Sequence, residues 1–160
     1  MAKSKVIGAD SFISMVEELA FNSESIASMA VYKGAETIAD GIRDSIEKIP
    51  SRDANATRSK EKVRGITDVE REGLLNGLGV AQHRKKAGDV DTKIGFDGYN
   101  ANVTKAYPKG HPNSMIARSI ESGTSWLNKT PFIAPAVRRL RAAATEAMQK
   151  ELDDYIKKHT

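Results

Sequence analysis

The sequence predicts an α+β domain: two long amphipathic helices packed on a small antiparallel sheet, with a long charged loop between them. Three observations predict it. Apolar residues recur every three or four positions over two long stretches, 26–46 and 133–157. Between those stretches the period falls to two, over residues 78–96. Residues 51–66 are polar, charged and without any period. A chain of 160 residues fits one core, so residues 1–160 are expected to form a single domain.

Asp10 is placed to cap a first short helix ending near Ala20, with Phe12, Ile13, Val16 and Leu19 at helical spacing. The stretch FNSES breaks it, and a second helix is predicted to start near Ser25. There Ile26, Ala30, Gly34, Ile38, Ile42 and Ile46 form a strict i+4 row, with Val31, Ala35 and Ala39 beside it. Gly34 costs about 1 kcal/mol relative to alanine inside a helix. Its place within the stripe therefore predicts close approach of another backbone. Pro50 ends this helix.

The segment SRDANATRSKEKVRG opens the charged loop, 51–66, which is expected to be mobile. Thr67 and Glu70 then have the spacing of a capping box, for a short helix to about Leu75. Leu78, Val80 and Gln82 alternate, as do Val90, Thr92, Ile94 and Phe96, which predicts a hairpin. Arg84, Lys85 and Lys86 fall in its turn as a basic tip, able to face DNA or a protein partner. A lone hairpin is marginal, so either residues 98–125 or neighbouring subunits must complete the sheet. Residues 115–122 suit a short helix with Gly123 just beyond it, or else an edge strand. In the last helix, 133–157, Val137, Leu140, Ala144, Met148, Leu152 and Tyr155/Ile156 step by three and four. Pro135 can sit only in its first turn.

Composition excludes several classes of function. The chain is 39% hydrophobic, contains no long apolar run, and its start, MAKSKVIGADSF, lacks the apolar segment of a secretory leader. No membrane association is expected. With no cysteine there are no disulfides, thiolate nucleophiles or Cys-ligated zinc, which suits a reducing cytoplasm. The three histidines, at 83, 111 and 159, have no ligand-type partner at helical spacing. Gly77-x-Gly79 is followed by Gln82 and runs into a strand, so it is not a dinucleotide fingerprint. No phosphate loop and no nucleophile elbow occur. The reading is a non-enzyme with no cofactor, no metal and no catalytic residue.

Net charge is +4, with both signs mixed along the chain. Two basic clusters stand out: the hairpin triplet, and Arg138, Arg139 and Arg141 near the start of the last helix. Solvent and intramolecular pairing, a protein contact, or nucleic acid are each open to them. A small nucleic-acid-binding protein is accordingly the alternative function, with salt-sensitive binding as its mark. Few aromatics are interleaved with the basic residues, so base stacking has little support.

The stretch before the last helix carries the unusual residues. Ile116-Ala117-x-x-Ile120-Glu121-x-Gly123-Thr124, a short spacer, then Pro131-Phe132-Ile133-x-Pro135-Ala136 and a long terminal helix resembles the tail-completion (neck) family of long-tailed double-stranded DNA phages. The likeness is firmest over 116–157; the upstream order of long helix, proline, loop and hairpin is similar too. Ser122 stands where that family often has an aromatic. The family's Thr/Ser-Gly-x-Leu step has its nearest counterpart in Glu72-Gly73-Leu74-Leu75, after an extended charged segment.

The resemblance implies a structural subunit of the virion neck, made in the bacterial host's cytoplasm. Its copies would form a ring, expected to be sixfold, joining the DNA-filled head to the tail. Its partners would be a head-closure or connector protein on one side and a tail-tube or terminator protein on the other. DNA would pass through the lumen without sequence-specific binding. Tail terminator and head-side adaptor are neighbouring roles in the same apparatus.

For the interface, the candidates are Glu121, Gly123, Thr124, Trp126, Pro131, Phe132, Pro135, Arg138, Arg139 and Arg141. Gly123 permits a sharp turn, and Pro131 and Pro135 stiffen the helix entrance. Trp126 is either a core plug or an exposed anchor. Phe132 packs under the helix start or on a neighbour. Glu121 is expected to pair with Arg138 or Arg139, of the same chain or the next.

Overall fold

A computed structural model of the chain describes residues 9–54, 62–86 and 89–159, with backbone alone at 9–12, 85 and 86. It is α+β, as the periodicities predict. In order come α1 (Ala9–Phe21), α2 (Ser23–Glu47), α3 (Asp68–Gly77), β1 (Leu78–Val80), β2 (Arg84–Lys86), β3 (Asp89–Asp91), β4 (Ile94–Phe96), α4 (Asn113–Ser122) and α5 (Ile133–Lys158). The leading residues 1–8 lie outside those described.

Asp10 falls inside α1 and not ahead of it. The break between α1 and α2 is one residue, Asn22, not five. Helical hydrogen bonds run through it, from Asn22 N–H to the Glu18 carbonyl (3.0 Å) and from Ile26 N–H to the Asn22 carbonyl (2.9 Å). In α2 the predicted row is buried at Ile26, Ala30, Gly34, Ile42 and Ile46, with Ala35 and Ala39 beside it. The row faces α5, which lies along α2 as its main partner.

The two long helices can approach closely because glycine supplies the room. A Cβ on Gly34 would stand 2.7 Å from Met148 Cγ and 3.3 Å from the Ala144 carbonyl oxygen of α5. Two turns later, Gly41 sits tighter still under the Leu140 side chain. The expected close approach is therefore observed, and it is made by α5.

Arg71, on α3, closes the far end of α2. Its guanidinium donates to the carbonyls of Ile46 (2.6 Å), Glu47 (3.0 Å) and Ile49 (2.7 Å) and to Ser51 Oγ (3.0 Å). Ile46 and Glu47 are in the last turn of α2, where carbonyls lack full helical pairing, and a cation there also suits the helix dipole.

The capping box holds α3 as expected. Thr67 Oγ1 accepts from Glu70 N–H (3.2 Å), while Glu70 Oε2 accepts from Thr67 N–H (2.9 Å). The charged loop 51–66 is anchored at both stems. Ile66 N–H donates to the Pro50 carbonyl (2.9 Å) and Arg52 N–H to the Ile66 carbonyl (2.8 Å). Val63 N–H donates to the Trp126 carbonyl (2.9 Å), and Asn128 N–H to the Val63 carbonyl (2.7 Å). Residues 55–61, the middle of this predicted loop, lie outside the described residues.

The hairpin is split into two short antiparallel ladders. β1 pairs with β4 through Leu78↔Phe96 and Val80↔Ile94, and β2 pairs with β3 through Arg84↔Asp91 and Lys86↔Asp89. The alternation read through Gln82 and Thr92 breaks between them, where Thr92 Oγ1 donates instead to the Ala81 carbonyl (2.6 Å). The basic triplet is a strand and not a turn. Its register sets it against an Asp-x-Asp strand, and opposite charges across a ladder favour that pairing.

Residues 98–112 add no strand, only an isolated bridge between Tyr99 and Pro112. The sheet is covered by α2, α3 and α4 instead of being widened. α4 is a helix, which removes the edge-strand alternative. The core gathers where these elements meet the far end of α2, with Ile46, Ile66 and Leu74 fully buried.

Candidate functional site

Between α4 and α5 the chain turns a corner within ten residues; half of the predicted interface residues lie in it and the others in the flanking helices. Gly123, just past α4, has φ 76 and ψ 170. That is not the left-handed helical geometry of an ordinary helix terminator. It is the extended positive-φ region that only glycine adopts readily. A Cβ there would also stand 2.9 Å from Lys129 N.

Thr124 then folds the spacer back. Its Oγ1 accepts from Leu127 N–H (3.0 Å), and its own N–H donates to the Leu127 carbonyl (2.9 Å). Thr130 N–H returns to the Ile120 carbonyl (2.9 Å) in the last turn of α4.

Glu121 supplies what α5 needs at its start. Its carboxylate accepts from Phe132 N–H (2.7 Å), Ile133 N–H (2.9 Å) and Ala134 N–H (3.0 Å). A helix start leaves four N–H groups without partners. Three are bound here by one carboxylate, and the fourth position is Pro135, which has no N–H. The set is complete.

No Glu121–arginine ion pair forms within the chain among the described residues; both carboxylate oxygens accept from backbone donors instead. Burial by itself raises the Glu121 pKa. The N–H groups of Ile133, Ala134 and Phe132, helped by the charge of Lys129, outweigh it and hold the carboxyl below its ordinary value.

The two aromatics of the corner divide. Phe132 is buried, edge-on to Phe96 of β4 at 6.1 Å between ring centres. It packs under the helix start and is not offered to a neighbour. Trp126 is half-buried against the core, with the Arg52 guanidinium 5.3 Å above its ring. Arg52 is in turn held by both oxygens of Glu70 (2.6 and 2.7 Å) and by the Gly65 carbonyl (3.2 Å). Trp126 forms one wall of a cleft of about 440 Å³, opposite Tyr107 and His111.

Exposed on the outside of the corner are Pro131, Pro135, Arg138, Arg139 and Arg141. The arginines begin in the second turn of α5, past the reach of the helix dipole. Pro131, Pro135 and Arg139 share a second groove, of about 320 Å³, with Lys48, Arg64 and Ile49. Sequence reasoning missed Lys48, Arg52, Arg64 and Arg71, which lie in or beside an aperiodic charged stretch that marks no residue above its neighbours.

The basic strand stands apart from this corner. Arg84 Nε meets Asp91 Oδ1 at 3.2 Å, with both side chains more than half exposed, so the pairing is weak. Of the histidines, His111 stacks on Tyr107 and His159 on Tyr155. Among the described residues no group of His, Cys, Asp or Glu could hold a metal ion, and no helix is long and apolar enough to cross a membrane. In comparisons with known proteins, no family model, no curated protein and no solved structure matches this chain.

Proposed function

We propose that this chain is a structural subunit of a phage head–tail connector, a tail-completion (neck) protein that works by shape and without catalysis. The observation that supports it best is the braced corner. Five of the residues that carry the family resemblance have a mechanical task there: Glu121 caps, Gly123 turns, Thr124 ties the spacer, Phe132 anchors and Pro135 completes the cap. The same corner leaves Pro131, Pro135 and the three arginines on the outside, exposed. A stiff surface loses little entropy when a partner binds it, which suits permanent assembly.

In this reading the copies form a ring between a head-closure or connector ring and the tail, with DNA crossing the lumen. The tail terminator and the head-side adaptor are the adjoining positions. The test is genetic. Removing the gene from a phage that encodes it should leave DNA-filled heads and finished tails unjoined, as seen by electron microscopy of lysates. Normal virions from such a mutant would end the proposal.

A further inference from the structure

We infer that α1 of one copy docks over the basic, proline-walled groove at the opposite end of α2 in a second copy, so that the chain associates with itself head to tail. This names the contact inside the ring proposed above, and rests on that reading for the ring's closure.

Two surfaces of the molecule are incomplete in complementary ways. The first is α1. Ile13, Val16 and Phe21 are 52%, 46% and 90% exposed, although large apolar side chains gain about 1.5–3 kcal/mol each when fully buried. Ile13, Val16 and Ala20 fall on one face of the helix. Beside that face stands Glu17, which is exposed, while Glu18 projects from nearly the opposite side; α1 contains acidic residues but no lysine or arginine. Its packing within the chain is against α2.

The second surface is the groove of about 320 Å³ beneath Pro131 and Pro135. Its floor includes Ile49 and Phe132, its rim carries Lys48, Arg64 and Arg139, and no carboxylate lines it among the described residues. All three cations are exposed. None joins an ion pair among the described residues. An apolar floor with a positive rim matches an apolar face with a negative flank.

The two surfaces cannot meet within one molecule. α1 is joined through Asn22 to the start of α2, and the groove lies at its end, beside Ser45 and Lys48. The 25 residues of α2 put roughly 37 Å between them at 1.5 Å per residue. The match is therefore between copies. It uses different patches on the two partners, the kind of contact that continues into a closed ring or an open filament. Nucleic acid would answer the groove's cations. It would give α1 no partner, so a second copy satisfies more of what is seen.

The test uses the full-length protein in sedimentation velocity. Wild type is expected to form species larger than a dimer, which shrink as salt is raised, since the rim pairs are screened. E17K and, separately, K48E/R64E are each expected to weaken association by about tenfold or more. Circular dichroism checks that each variant is folded. Mixing the two variants should restore assembly, because each reversed surface then meets its opposite in the other protein.

The proposal is overturned if wild type stays monomeric at high micromolar concentration, if either folded variant assembles like wild type, or if the mixture fails to recover. It is also overturned if K48E/R64E loses only retention of DNA on filters while its self-association is unchanged. These readouts concern purified protein, whereas the neck reading is judged on particles, so either can fail while the other stands.

Discussion

Glu121 sits at the end of one helix and holds the start of another, eleven residues further on. A glutamate beside a glycine and ahead of three arginines reads as an ion-pair residue. The backbone offers it more: three N–H groups that would otherwise lack partners, at the positive end of a helix dipole. Glu121→Gln should therefore destabilise the protein by about 1–2 kcal/mol at neutral pH, measured by urea unfolding. The folded pKa lies below the ordinary one, which sets the sign of the pH dependence. The stabilisation is complete above the unfolded glutamate value, about 4.3, and is lost as pH falls through the lower folded value. The gap between wild type and Glu121→Gln should close over that acidic window. A gap that stays constant down to pH 3 would show that the charge is not what holds the helix start.

Among the elements, the pairing of α2 with α5 was legible in outline. A glycine inside an apolar stripe implies close approach, and Gly34 is met by Met148 at 2.7 Å from where a Cβ would lie. Which element approaches was not legible, because both long helices carry apolar stripes that would suit a sheet as well as each other. Gly34→Ala should cost about 1 kcal/mol, the helix-propensity gain being outweighed by the displaced thioether. With Met148→Ala already in place, the same change should cost less or become neutral, since the nearest obstruction is gone and only the Ala144 carbonyl oxygen, at 3.3 Å, remains close. A double-mutant cycle in thermal or urea unfolding reads the difference as a coupling energy. Additive effects would mean that the helices are not as close as described. The capping box before α3 was legible because Thr67 and Glu70 lie three residues apart and act locally. The closure of α2 by Arg71 was not, because its donor and its acceptors are separated by more than twenty residues.

For the whole molecule, the core lies at one end of α2, with α3, α4, the inner strands and the entrance of α5 around it. α1 lies at the other end, and its apolar side chains contribute little to that core. Ile13→Ser with Val16→Ser should accordingly shift unfolding of the monomer by less than about 0.5 kcal/mol, while weakening any association that buries α1. A large loss of stability in the monomer would instead place α1 in the core. The basic clusters also separate at this scale. The strand triplet faces its own acidic partner strand, whereas Lys48, Arg64 and Arg139 converge from three distant parts of the chain on one groove.

The sequence by itself determined the periodicities, and with them the α+β class, the two long helices, the capping box and the positions of Gly34, Gly123 and Pro135. These follow from the spacing of neighbours along the chain, which helix and strand geometry convert directly into faces and ends. Only the tertiary structure decided that Glu121 serves backbone and not arginine, that Phe132 belongs to the core, and that the basic triplet is a strand. It also decided which cations share a groove. Each of those depends on groups brought together across many residues, where a stronger or nearer donor in space displaces the partner that sequence spacing suggests.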